Sequence, residues 1–116
     1  MRIDGIEILS DADVGVALWR KFNKASSDLQ LSQKAADKYE ETLVKDVEFV
    51  KKGKKPSTVV GARIYIICLL TGQARGQRNI AWAVGSSEQG IREVYKIMAG
   101  RERRNPSVRN KINSNS

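Results

Sequence analysis

Residues 77–98 read QRNIAWAVGSSEQGIREVYKIM, the pattern of two short helices joined at Gly85-Ser86, with the spacing of a helix-turn-helix. In the second helix Ile91, Val94, Tyr95 and Met98 recur at helical spacing on one side, and Gln89, Arg92, Glu93 and Lys96 fall on the other. Gly85 suits the turn because, without a Cβ, it takes positive φ at little cost. Ser86 followed by Gln89 fits a capping box at the start of the second helix. A polar, basic helix held by its apolar back is what major-groove reading requires. An ordinary helical hairpin on a globular surface fits the same pattern.

Working outward, the 116 residues suffice for one domain with a sizeable core. A formal charge of +8 and a pI near 9.9 favour polyanionic partners, nucleic acid or an acidic membrane surface. Half of that excess is local. Arg101, Arg103, Arg104, Arg109 and Lys111 against Glu102 give the last residues +4, leaving +4 for residues 1–100. Histidine is absent, which removes the commonest general base and metal ligand. The lone Cys68 lies in an apolar run and reads as a small buried hydrophobe. No signal peptide is apparent, and the longest apolar stretch, Val59 to Leu70, falls short of the roughly 18 residues a membrane span needs. These features predict a soluble intracellular protein with no cofactor. The carboxylate pairs Asp11/Asp13 and Glu40/Glu41 point to different helix faces, so no catalytic set emerges and an enzyme is not expected.

Upstream, residues 1–10 carry no strong pattern and read as a lead-in or linker. From Asp11, a candidate N-cap, Val14, Leu18, Phe22, Ala25 and Leu29 form one helical stripe. Ser32 is a good N-cap for a second helix, with Ala36, Tyr39, Leu43, Val47 and Val50 inward. Glu41–Lys45 and Glu48–Lys52 are ordered as supporting i,i+4 pairs. Gly53 stops this helix. PSTVVGARIYIICLLTG, from Pro56, could be a strand by its β-branched content. Its length and its Pro-Ser-Thr entry argue for a helix. Such a helix, apolar on nearly every side, must be central. Gly61 and Ala62 would let a neighbour approach, and Arg63, its one charge, would need a partner if buried. Gly100 is placed to end the fifth helix, and the tail 101–116 lacks apolar content and should be disordered.

GKKPSTVVGARIYIICLLTG, followed by QRNIAWAVGSSEQGIREVYKIM, resembles one cyclin-like repeat of the transcription factor IIB and archaeal transcription factor B family. The matching features are Pro56 through Tyr65-Ile66, the helix end Leu70-Thr71-Gly72, and Gln77-Arg78-Asn79-Ile80-Ala81. They close with Gly85, Glu88, Ile91, Arg92, Tyr95 and Lys96. The resemblance covers about residues 11–100. It implies an all-α, cyclin-like five-helix domain with the helix-turn-helix in helices four and five. It also implies a transcription-initiation role on promoter DNA, in the B recognition element region. Its partners would be double-stranded promoter DNA, the TATA-binding protein and RNA polymerase, with no membrane and no small-molecule substrate. Trp82, Gln89, Gly90 and Val94 depart from the family's usual polar or acidic residue, small apolar residue, Thr and Arg. These departures bear on promoter reading more than on the fold. The family core holds two repeats in tandem, whereas this chain has room for one, and no Cys-x-x-Cys pair for a zinc ribbon precedes it. An excised C-terminal domain and a short single-repeat relative both fit.

Among individual residues, Arg92 is central on the polar face, and its planar fork can take two acceptors on a guanine. Gln89 could pair with adenine, although the capping box competes for it. Lys96, one turn on, suits a phosphate. Gln77 and Arg78 open the first helix of the motif, where backbone N–H groups favour a phosphate. Lys54 and Lys55, in the run Lys51–Lys55, could add nonspecific backbone contacts. Trp82 is the candidate partner-facing residue, and Trp19 should be partly buried. A cyclin-like protein-interaction module, its basic charge serving solubility or an acidic partner, and an independent helix-turn-helix transcription regulator are the alternative readings.

Overall fold

The computed structural model describes residues 10–102 and the short strands Arg2–Ile3 and Ile6–Glu7, with side chains from Ser10 to Gly100. Five helices follow in order: α1 (Asp11–Leu29), α2 (Gln33–Lys51), α3 (Pro56–Thr71), α4 (Gln77–Val84) and α5 (Glu88–Glu102). PSTVVGARIYIICLLT is thus a helix, as its length predicts. Ahead of α1 stands a small antiparallel pair, β1 (Arg2–Ile3) on β2 (Ile6–Glu7), in the register Arg2↔Glu7 and Ile3↔Ile6. At the far end α5 runs past Gly100 to Glu102, because Gly100 does not adopt the left-handed φ that makes a glycine a stop. Beyond Glu102 the expected basic tail lies outside the described residues.

The caps explain where the helices begin and end. Ser10, not Asp11, opens α1. Its Oγ accepts from the Asp13 N–H at 3.1 Å, and the Asp13 carboxylate accepts from the Ser10 N–H at 3.3 Å, a complete capping box. Asp11 becomes a first-turn residue that pairs with Lys51 at 3.4 Å. Ser32 does precede α2, but its side chain caps nothing; its backbone N–H donates to Gln73 Oε1 at 2.9 Å instead. Pro56 sits in the first turn of α3, where its missing N–H costs nothing, and Gly72 closes that helix at φ 70°. On the exposed side of α2 the ion pairs are i,i+3, Lys38–Glu41 at 3.6 Å and Glu48–Lys51 at 3.5 Å, where the i,i+4 pairs were expected.

Helix α3 meets all four other helices, whereas α2 meets only α1 and α3. Val59, Val60, Ala62, Ile64, Ile66 and Ile67 are buried around its circumference. Gly61 faces α5 so closely that a Cβ there would lie 2.7 Å from Ile91 Cδ1. Arg63 is also fully buried, and its partner is Asp46 of α2. Nη2 donates to Oδ1 at 2.8 Å, and Nε lies 3.0 and 3.2 Å from the two carboxylate oxygens. Trp19, Phe22 and Tyr39 form one aromatic cluster between α1 and α2, with Phe22 and Tyr39 stacked at 4.1 Å.

Cys68 sits in this core, and burial pushes its thiol up to about 11. Near pH 8 its reactive thiolate population should therefore be roughly a hundred-fold below that of an unshifted thiol. A thiol reagent should label the native chain at least that much more slowly than the denatured chain. Equal rates would mean that α3 opens readily.

Candidate functional site

The α4–α5 unit begins with Gly76 and turns at Gly85, whose φ is 73° and whose N–H reaches Ala81 O at 2.9 Å. The cap of α5 is Ser87, one residue later than expected: its Oγ accepts from the Gly90 N–H at 3.0 Å. Gly90 has no side chain to reciprocate, so no capping box forms. Ser86 is instead bonded to Thr58, Oγ to Oγ1 at 2.7 Å. That contact ties the start of α3 to the turn before α5. Lys54 and Lys55 lie in the short exposed stretch before α3, four and three residues ahead of Thr58.

The two faces of α5 separate as the spacing predicts. Ile91, Val94 and Met98 are buried, and Tyr95 packs edge-on against Tyr65 of α3 at 4.9 Å. Gln89, Arg92, Glu93 and Lys96 are exposed. Freed from capping, Gln89 donates from Nε2 to Glu93 Oε1 at 3.3 Å. Glu88 meets not Arg92 but Arg78 of α4, at 3.9 Å, a loose pair with Arg78 88% exposed. Among the described residues neither Arg92 nor Lys96 is in an ion pair.

On α4, Gln77 is half-buried at the first position and Arg78 projects into solvent. Trp82 is 81% exposed, which is unusual for so large an apolar side chain. It borders a groove of about 450 Å³ between α4 and the end of α1, lined also by Leu29, Arg75, Arg78 and Ala83. Arg75 shapes this groove by donating from Nε to Leu29 O at 2.9 Å and from Nη2 to Gln30 O at 3.3 Å. The fold thus gathers Gln89, Arg92 and Lys96 on one face and brings Arg78 to its edge through Glu88, whereas Lys54 and Lys55 stand exposed before α3. It sets Trp82 toward α1 on a separate side. Sequence reasoning missed the Arg78–Glu88 approach, the Thr58–Ser86 tie and the role of Arg75. None has a local signal, since each joins residues at least ten positions apart.

No helix among the described residues is long and apolar enough to cross a membrane. The family described as "Transcription factor TFIIB repeat" matches residues 17–101. "Transcription initiation factor IIB 1" of Thermoplasma volcanium is 43% identical over 72 residues, 60% of this chain and 23% of that protein. "Transcription initiation factor IIB" of Pyrococcus abyssi is 35% identical over 75 residues, 64% and 25% of the two chains. The protein of the same name from Archaeoglobus fulgidus is 34% identical over 67 residues, 51% and 21%. The matched region therefore spans about a quarter of the length of these curated relatives. No solved structure matches the chain. With the match running from within α1 to the end of α5 and taking in the whole α4–α5 unit, the chain belongs to the transcription factor TFIIB repeat family, a family of transcription factors and not of enzymes.

Proposed function

We propose that this chain is a transcription-initiation factor domain that binds promoter DNA through α5 and acts beside the TATA-binding protein. The observation that carries the reading is the division of α5. One side is locked into the core, and the other presents Arg92 and Lys96 outside any ion pair among the described residues. A helix so held can enter the major groove without repacking. Arg92 reaches a guanine edge, and Lys96 and Arg78 hold phosphates, with Lys54 and Lys55 adding backbone contacts. Gln89 is engaged by Glu93, so its contribution to base reading requires that pair to open. The names of the relatives support initiation as the process. RNA polymerase is a further partner on this reading, and the compartment is the one holding the genome.

Titrating labelled promoter duplex at two salt concentrations tests the claim. Arg92→Ala should weaken specific binding by about 1–3 kcal/mol and relax the preference at one base pair, whereas Lys96→Ala should weaken all duplexes alike and lower the salt slope by about 1. No binding at low salt removes the DNA claim. Adding the TATA-binding protein should then give a supershift. Tight binding without one would indicate an independent regulator.

The exposure of Trp82 favours a second reading, a protein-docking module. That reading prevails if charge reversal at Arg92 and Lys96 leaves DNA affinity unchanged while Trp82→Ala abolishes binding to a protein partner.

A further inference from the structure

The outer side of the α1–α2 hairpin carries an apolar surface with no part in the DNA reading. Two of the four large apolar side chains standing exposed among the described residues lie there, Val16 at 50% and Val44 at 79%. With Ala12, Gly15, Trp19 and Leu43 they line a groove of about 570 Å³. Its charges are unevenly placed. α2 runs antiparallel to α1, since Lys51 near the end of α2 meets Asp11 at the start of α1, at 3.4 Å. Asp11 and Glu48 therefore share one end of the groove, and with Lys51 between them that end is net −1. Arg20, roughly 13 Å further along α1 at 1.5 Å per residue, stands at the other end of the lining.

An apolar centre flanked by opposite charges is complementary to itself when turned by 180° about an axis through the centre, the requirement of a twofold interface. We propose that this groove is the contact surface for a second copy of the chain. In that pair Val44 of each copy enters the groove of the other, and Arg20 of each faces the partner's acidic end. Helix α5 meets neither α1 nor α2, so the pair leaves the Arg92 and Lys96 face of α5 uncovered in both copies. The inference stands or falls independently of DNA binding.

The mass of the full chain in solution, followed by sedimentation from micromolar to millimolar concentration, tests it. A concentration-dependent doubling of mass is expected. Val44→Asp should hold the chain at the monomer mass, and the exposure of Val44 keeps that change compatible with folding, which circular dichroism verifies. Arg20→Glu should weaken the pair at least about tenfold by setting like charges together. Arg20→Glu with Glu48→Arg keeps the net charge and should restore association. A monomer at every concentration overturns the proposal, as does a dimer that Val44→Asp leaves intact or a double variant no better than Arg20→Glu. A monomer that dimerises only after residues 1–9 are removed overturns it too, by assigning the groove to the chain's own N-terminal segment.

Discussion

Replacing Asp46 by alanine should destabilise the domain by about 3–5 kcal/mol, because it takes the carboxylate away from a buried guanidinium. Arg63 is 1% and Asp46 0% exposed, and they meet through short, charge-assisted bonds. Set against a typical total of about 5–15 kcal/mol, the loss removes between about a fifth and all of the stability. A second substitution keeps the argument decidable. Removing both charges, with Asp46→Leu and Arg63→Met, should recover most of the loss, since a buried pair is often replaceable by apolar side chains of similar volume. Chemical denaturation of the two variants beside the unchanged chain reads this directly. If the alanine variant loses less than about 1 kcal/mol, water reaches the pair and the packing around it is looser than described.

Gly61→Val should cost at least about 3 kcal/mol, at the upper end of what overpacking a core costs. Even the first added carbon would lie 2.7 and 2.9 Å from Ile91 Cδ1 and Cγ1 and 3.1 Å from Val84 Cγ2. Ile91 is wholly buried, so any shift of its side chain disturbs the packing around it. The strain falls where α5 seats on α3, so the melting temperature should drop by more than about 10 °C for a domain this size. Adding Ile91→Ala returns the missing space and should restore a good part of the loss, although Ile91→Ala alone is destabilising in its own right. Additive losses in the double variant would contradict this close approach.

Most of the helical frame was legible because it is written locally. The stripe Val14, Leu18, Phe22, Ala25 and Leu29 is buried as its spacing predicts, and the all-round apolar run proved to be the central helix. Misplaced details were those where neighbouring residues of the same type compete. Ser10 and Asp11 can both cap, as can Ser86 and Ser87, and tertiary contacts chose between them: Lys51 takes Asp11, and Thr58 takes Ser86. Asp46 shows the limit differently. A carboxylate between Lys45 and Val47 reads as a solvated position, and only α3 packing alongside reveals that it is buried. The exposure of the 89/92/96 face followed from periodicity. The approach of Arg78 to Glu88 at its edge did not, because it depends on helix ends brought together by the fold.

The buried pair has a consequence apart from stability. A helix that is apolar all the way round, as α3 is, gains nearly the same hydrophobic energy however it is turned about its own axis. Its greasy surface alone therefore cannot select one orientation. Arg63 and Gly61 can. Two residues apart, they point to nearly opposite sides of the helix, about 200° around it. One must find the carboxylate of α2, and the other must leave room for Ile91 of α5. Rotating α3 by a third of a turn would bury a lone charge and jam a side chain against α5. Together the two residues act as a key and its keyway, converting many near-equivalent packings into one, and with it a single aim for α5.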